Sequence, residues 1–499
     1  MGIIKKFIKP EYLTLAALIA TAVLLRLWGI DWGLPLKKAH IDESVVLFYT
    51  MRFFTGDLNP HVFFDYPTLY LYLLWLVYSA WFIAGKTMGV FGSLDSFVGI
   101  YLNGDSSSFF VIGRALSVLF AAGSIYLVYR IGKENFSEGF LPALLFSLVP
   151  VHVLHSHYST VDVPALFFVL FAFLHFGRYY SGSGAKNLYL ASFLLGLGAA
   201  VKYYPFVFLL PVWAVVVYLE KKAAVRKILL SAAASVSAFI AGCPFALLDY
   251  KAFISRFSDR LNLIVSAGPA AGSGFDLTRV LYNLKEGMTL PLLFFLLMLI
   301  SIALVTGERE NKKKMLLWFS FGAYYIIFLS FWKIVAAHYL LAAIPFIILS
   351  SAYALRQIRF LNRHPLQRAF LIVLLCAAPA IKTVRLNTLI SYPDSRLRAH
   401  AWIKHNIPKG AKILRLPYTP EFSGADPYFV RVDWEEKSRA ISPEALSSDY
   451  DFIITGTFDN KPDGWEESLA GKFTVIKQWP YIPVAPFHQP RITIYAKNA

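Results

Sequence analysis

The sequence predicts a polytopic α-helical membrane protein with a small α/β domain at its C-terminal end. Three observations predict it. The 499 residues are 57% hydrophobic and only 16% charged, too few charges to cover a soluble surface of that size. Apolar runs of near-spanning length follow one another from about residue 12 to about residue 384, where roughly 20 apolar residues make one crossing. Beyond that point the pattern changes to charges, turns and short alternating stretches. The 43 Phe, 28 Tyr and 11 Trp suit a lipid-facing exterior with aromatic belts at the interfaces. The net charge of +17 is met by basic loops gathered on one side of a membrane, so membrane lipids are expected partners and nucleic acid is not. Cys243 and Cys376 lie in apolar runs and offer neither a disulfide framework nor a Cys-based metal site.

The first run, about 12–30, follows Lys5, Lys6 and Lys9. It has the outline of a signal sequence, but no small-residue cleavage site follows. It therefore reads as a retained first crossing with its basic flank in the cytoplasm. Further runs are expected at about 67–85, 107–130, 137–154, 162–178, 188–201, 203–219, 228–247, 289–306, 314–331, 335–355 and 368–384. From 107 onward every second loop is basic: Arg130 and Lys133, Arg178 and Lys186, Lys221 to Lys227, Arg309 to Lys314, Arg356 to Arg368. These loops are read as cytoplasmic. Parity then requires something between 86 and 106 to cross back, and Met88–Tyr101 is apolar enough for a short or broken helix. The result is about thirteen transmembrane helices, N-terminus inside and C-terminus outside. The stretch 248–288, with a glycine-rich segment Gly268–Gly274, reads as a long outer connector. The segment lacks the ending and the preceding strand of a phosphate loop.

Two parts follow: a transmembrane part, 1–384, with a first external loop 31–66, and a soluble extracytoplasmic α/β part, 385–499. In the latter a helix is expected over Ser395–Asn406 and strands near 411–416, 451–455, 473–478 and 491–496. Compact ends and short loops point to the plasma membrane of a prokaryote.

The outer loops collect the polar groups. Asp42 and Glu43 are neighbours, so they cannot point the same way. One can face a cavity while the other makes structural contacts. A carboxylate there takes a proton from an alcohol nucleophile or holds a metal, or the two are a solvated loop pair. Asp162 opens a run two residues before Pro164, which equally describes a helix start. His155, His157 and Asp162 are metal-ligating types without a strong ligand spacing. Lys202 and Tyr203 interrupt an apolar stretch, where a lysine either meets an anion or snorkels to water. Lys333, His338 and Tyr339 repeat the theme, and Arg114 lies near the outer end of its own helix. Several cations and one or two carboxylates on one side suit group transfer from a lipid phosphate: cations neutralise the leaving group and a carboxylate activates an incoming hydroxyl.

At this point the sequence resembles the polytopic glycosyltransferases with the C-type membrane fold (GT-C), specifically the family 39 relatives that include protein O-mannosyltransferases and aminoarabinose transferases. The resemblance rests on His40-Ile41-Asp42-Glu43, Tyr66-Pro67, Arg114, His157 to Asp162 with Pro164, Lys202 to Pro205, and His338-Tyr339 with Pro345. In the tail it rests on His400-Ala401-Trp402 with Pro408-Lys409-Gly410. It implies inverting transfer of a sugar from a polyprenyl- or dolichyl-phosphate donor to a protein, lipid or glycan acceptor at the outer face. By that resemblance Asp42 is the catalytic base or acceptor-orienting carboxylate, with Glu43 supporting it. Arg114, Lys202, Tyr203, Lys333, His338 and Tyr339 hold the donor phosphate, and Asp162 shapes the acceptor side or helps bind a metal. Position 338 is His where many relatives carry Arg, and no Asp-x-Asp pair accompanies Asp162, so a divalent metal is not required by the sequence. The rival readings are a transporter or flippase of lipid-linked saccharides, which needs the cations but no base, and a membrane-anchored binding protein whose tail does the work.

Overall fold

The computed structural model describes residues 10–61, 63–266, 274–433, 437–483 and 488–498. The basic flank at Lys5, Lys6 and Lys9 and residues 268–273 of the glycine-rich segment lie outside them. The chain forms two compact units, one of residues up to Ile30 with Val45–Arg385, the other of Asp31–Ser44 with Leu386–Ala499. The expected first loop, 31–66, is thus divided between Ser44 and Val45.

The first unit is helical. Helix α1 (Pro10–Leu27) is followed by α2 (Ile41–Arg52), whose first turn up to Ser44 belongs to the second unit, then α3 (Leu69–Thr87), α4 (Leu94–Asn103) and α5 (Ser107–Phe136). The run at 137–154 is broken into α6 (Phe140–Ser147) and α7 (Pro150–His155). Pro150 opens the second piece, a position where its missing N–H costs nothing. Then come α8 (Asp162–Tyr180), α9 (Ala185–Ala199), a 3₁₀ turn Tyr204–Phe208 leading into α10 (Leu209–Glu220), and α11 (Ala224–Gly242). Where a loop was expected at 248–288, the chain forms α12 (Phe245–Leu248), α13 (Tyr250–Ser266) and α14 (Leu277–Met288). Helix α14 meets α15 (Leu290–Thr306) at a 108° bend. The unit closes with α16 (Arg309–Leu329), a 3₁₀ turn Ala337–Ala342 leading into α17 (Ile344–Gln357), α18 (Arg359–Arg363) and α19 (Pro365–Ile390). Six helices are long and apolar enough to cross a membrane, or seven if the bent pair counts as one. Close approach of α9 and α11 depends on Gly196, where a Cβ would collide with the Ser235 carbonyl. Small residues at such crossings let membrane helices pack backbone to backbone.

The polar contacts fix which helix ends lie together. At one end Lys133 and Tyr129 reach Glu11, Arg178 pairs with Glu134 at 2.8 Å, and Tyr179 and Lys227 both meet Glu220. Arg356 donates to the Phe136 carbonyl, and Arg368 stands 3.8 Å from Glu138. The alternate basic loops therefore do gather at one end of the helices. At the opposite end Arg114 donates to the Ile30 carbonyl at 2.7 Å, and Thr68 to that of Gly242.

The segment expected to cross at 67–85 forms α3, which is long and apolar enough to span, and contacts place its first half. Helices α1 and α5 are antiparallel, so α5 starts at the end where α1 finishes. Tyr70 lies 3.3 Å from Ser117 and Tyr78 donates to the Phe109 carbonyl. Helix α3 therefore runs antiparallel to the first turns of α5 and continues past its start. Helix α4 cannot return the chain: ten residues rise only about 15 Å, half the roughly 30 Å of a bilayer's apolar core. The expectation of about thirteen crossings counted both segments; α3 has the length for a crossing and α4 does not.

The second unit is α/β. Helix α20 (Ser395–Asn406) precedes β1 (Lys412–Arg415), β2 (Phe429–Val432), α21 (Pro443–Asp449), β3 (Phe452–Thr457), α22 (Gly464–Ser468), β4 (Phe473–Trp479) and β5 (Arg491–Lys497). The sheet order is β2-β1-β3-β5-β4, parallel across β2, β1 and β3 and antiparallel across β3, β5 and β4. Alternation along the strands sends Ile413, Ile454, Ile492 and Ile494 to one core with Ala399 and Ile403 of α20, and Leu414, Ile453 and Tyr495 to the other with Leu446 and Leu469. Within this unit the segment 31–44 is held by Trp32 stacked on His488 at 3.5 Å. Glu421 accepts from the Lys37 and Lys38 amides, and Arg396 donates to the Ala39 carbonyl. Four of the strands coincide with the expected ones. The edge strand β2 was not expected: it has four residues, of which only Val430 is partly buried against the core, too short a pattern to read as a strand.

Candidate functional site

The end of the helical unit opposite the basic loops holds a cavity of about 490 Å³. Its walls come from four breaks in regular structure, which is why polar side chains can reach it. The segment before α3 supplies Asp65 and Tyr66, and the start of α8 supplies Asp162. The turn after α9 gives Lys202, Tyr203 and Tyr204, and the 3₁₀ turn before α17 gives His338 and Tyr339. Helix α13 closes one side with Phe253, Phe257, Arg260 and Leu261, a spacing that puts all four on one helical face. Tyr325, Phe328 and Trp332 complete an aromatic lining.

In the cavity Lys202 Nζ meets Asp162 Oδ1 at 2.6 Å. The Lys202 ammonium also lies 4.9 Å from the centre of the Tyr339 ring, a cation–π distance. The His338 ring packs against that of His155, centroids 4.7 Å apart, and against Tyr339 at 4.5 Å. Arg260 contributes a second cation, and among the described residues no carboxylate forms an ion pair with it. The cavity wall thus combines two carboxylates, two fixed cations and an imidazole within an apolar aromatic surround, where charge interactions are stronger than in water.

Of the residues expected at the site, Asp162, Lys202, Tyr203, His338 and Tyr339 are brought together, from segments far apart in the chain. His155 stands behind His338. Arg114 is not at the cavity: it is fully buried and committed to the Ile30 carbonyl. Lys333 does not line the cavity either; its carbonyl accepts from Arg279. Asp42 and Glu43 lie in the second unit, in the first turn of α2. Glu43 is fully buried while Asp42 is half-buried, the division of exposure expected of neighbouring helical positions. The possible metal trio of His155, His157 and Asp162 is not what this geometry offers. His157 turns one ring nitrogen to the Val153 carbonyl at 2.9 Å and the other to that of Trp28 at 3.1 Å, and Asp162 is taken by Lys202. Among the described residues no three His, Cys, Asp or Glu are grouped as a metal site.

The residues that sequence reasoning left without a role are Asp65 and Arg260. The signal for Arg260 was the amphipathic spacing of Phe253, Phe257 and Leu261 around it, in a stretch read as a connector.

A family model described as dolichyl-phosphate-mannose-protein mannosyltransferase matches residues 98–247, the segment that contributes Asp162, Lys202 and Tyr203. No curated protein sequence matches the chain. Among solved structures, ArnT from Cupriavidus metallidurans in the apo state is similar over 98% of this chain and 98% of its own, with a TM-score of 0.55 at 13% identity. The same protein bound to undecaprenyl phosphate is similar over 96% of this chain and 97% of its own, with a TM-score of 0.52 at 11% identity. The chain is a membrane-embedded helical protein with the fold of the C-type membrane glycosyltransferases, and its central segment matches the mannosyltransferase family model.

Proposed function

We propose that the chain is an inverting glycosyltransferase that moves a sugar from a polyprenyl- or dolichyl-phosphate donor to an acceptor hydroxyl of a protein, lipid or glycan. The observation that carries the reading is the aromatic cavity with two cations on its wall. A lipid-linked phosphate needs an apolar surround for its chain and fixed positive charge for its head, and among the described residues Arg260 is a cation without a carboxylate ion pair. Lys202 would take the phosphate in exchange for Asp162. The C-type fold, and the undecaprenyl phosphate bound to ArnT from Cupriavidus metallidurans, support the donor class. The gathering of basic loops at the far end supports an outward-facing site with an extracytoplasmic tail, in the plasma membrane of a prokaryote.

In the proposed reaction the acceptor oxygen attacks the anomeric carbon from the face opposite the phosphate. The carbon–oxygen bond to phosphate breaks, and its electron pair leaves as the lipid phosphate anion. Asp42 takes the hydroxyl proton, with Glu43 as its neighbour, and Asp162 shapes the acceptor side. A phosphate leaves as an anion, so no strong general acid is called for.

The test is transfer of radiolabelled sugar from a panel of prenyl-phosphate donors to membrane extract, wild type against Asp42→Asn. A general base is worth about 10²- to 10⁴-fold, so label transfer should fall about 10³-fold in the variant. Equal transfer by both proteins would remove Asp42 from the base role. No transfer from any donor, with lipid-linked sugar moving between leaflets, would replace the transferase by a flippase.

A further inference from the structure

A buried cation at the end of α1 has no part in the proposed chemistry, and its contacts lead directly to a catalytic segment. Arg26 is fully buried, and among the described residues its partners include no carboxylate. Its guanidinium instead spreads over three pieces of chain. One nitrogen donates to the Ala22 carbonyl of its own helix at 2.9 Å. Another donates to the Ser147 carbonyl at 3.1 Å and meets His152 Nδ1 at 2.8 Å. Nε donates to Ser156 Oγ at 3.2 Å. A charged side chain kept inside a helical bundle without a counter-ion is costly, so its geometry has to supply something that an apolar residue would not.

These partners mark the ends of α7. Ser147 ends α6, where the break before Pro150 releases its carbonyl from the helical ladder. Ser156 follows the last residue of α7, and its hydroxyl also donates to the His152 carbonyl at 2.5 Å. The next residue, His157, reaches back to the Trp28 carbonyl, two residues beyond Arg26. Every residue from 149 to 166 is buried, so a displacement at Ser156 has no solvent-facing slack in which to relax before Asp162.

We infer that Arg26 is a positioning residue: by holding Ser147, His152 and Ser156 at once it fixes the bend between α6 and α7 and the turn that follows. It thereby sets how the Asp162 carboxylate enters the cavity beside Lys202. The planar fork of arginine is suited to this because it serves acceptors in several directions at fixed angles, whereas lysine offers one point charge.

Two variants test it, Arg26→Lys, which keeps the charge, and Ser156→Ala, which removes one contact from the other side. The first measurement is amide hydrogen exchange of the purified full chain in detergent. Faster exchange confined to about 147–161, with α1 and α5 still protected, is the expected result for Arg26→Lys. Unchanged exchange in that stretch, or equal loss of protection throughout α1 and α5, overturns the inference. The second measurement is kinetic and rests on the transfer reading. Misplacement by about 1 Å costs on the order of 10²-fold, so kcat should fall about 30-fold or more in Arg26→Lys and about 5-fold in Ser156→Ala, with donor KM within about 3-fold of wild type. Retained kcat, or a raised KM at constant kcat, counts against it. A wild type that transfers nothing defeats the transfer reading alone, since the exchange result still decides whether Arg26 fixes the turn.

Discussion

The two units use carboxylate–cation pairs in opposite ways. In the α/β unit Glu466 and Arg491 form an ion pair whose side chains are 0% and 2% exposed. Glu466 also accepts from Thr455 at 2.6 Å and from the Asp463 amide, and Arg491 donates to Thr457. The pair is sealed and its hydrogen bonds are spent, so it can hold β3, β5 and α22 together but can do nothing else. In the helical unit Asp162 and Lys202 are paired as closely, yet they face a cavity large enough for a ligand, beside a second cation. The lesson is that pairing alone does not separate structure from function. What separates them is whether a charged partner can be exchanged.

Three experiments sharpen or break that contrast. The largest effect is expected in the tail, where Glu466→Gln would leave the Arg491 charge buried without a counter-ion. Breaking such a pair costs about 3–5 kcal/mol. The readout is early unfolding of the tail, followed through Trp465 and Trp479 fluorescence; an unshifted transition would mean that the tail tolerates a lone buried cation. Next, Lys202→Met should lower transfer about 10²-fold while leaving the thermal transition of the helical unit within a few degrees, because the partner carboxylate can reach cavity water. Loss of folding in this variant would place the Asp162–Lys202 pair in the same class as Glu466–Arg491. The smallest effect is that of Arg260→Gln. Loss of one charge-assisted contact worth about 1.5 kcal/mol raises the donor KM roughly tenfold, with kcat little changed. A drop in kcat at unchanged KM would move Arg260 from binding the donor to stabilising the reacting state.

Much of the helical unit was legible because membrane crossings are written locally: long apolar runs, ended by Lys and Arg in alternate loops, fix the ends of α5, α8, α10, α11 and α17. The same alternation brought His155–Asp162, Lys202–Tyr203 and His338–Tyr339 to one end before any contact was known. What stayed hidden was pairing across distance. Asp162 and Lys202 are forty positions apart, and nothing in either segment announces the other. Arg114 was read as an outer cation for the donor phosphate, and its hydrogen bond to the Ile30 carbonyl, a backbone acceptor, has no signature in sequence. Helix α3 has the length and hydropathy of a crossing, and only its antiparallel contact with α5 reveals where it goes.

Beyond Tyr78 the chain turns through α4, around a knot of rings in which Trp81 lies 5.0 Å from Phe109 and 5.1 Å from Phe97. On the outside of this hairpin Ile83, Met88, Val90 and Leu102 are all more than half exposed. Such side chains are out of place in bulk water, and tryptophan favours the headgroup level. The hairpin therefore presents an exposed apolar rim with a tryptophan close behind it, the side-chain chemistry of a segment that keeps company with lipid rather than water.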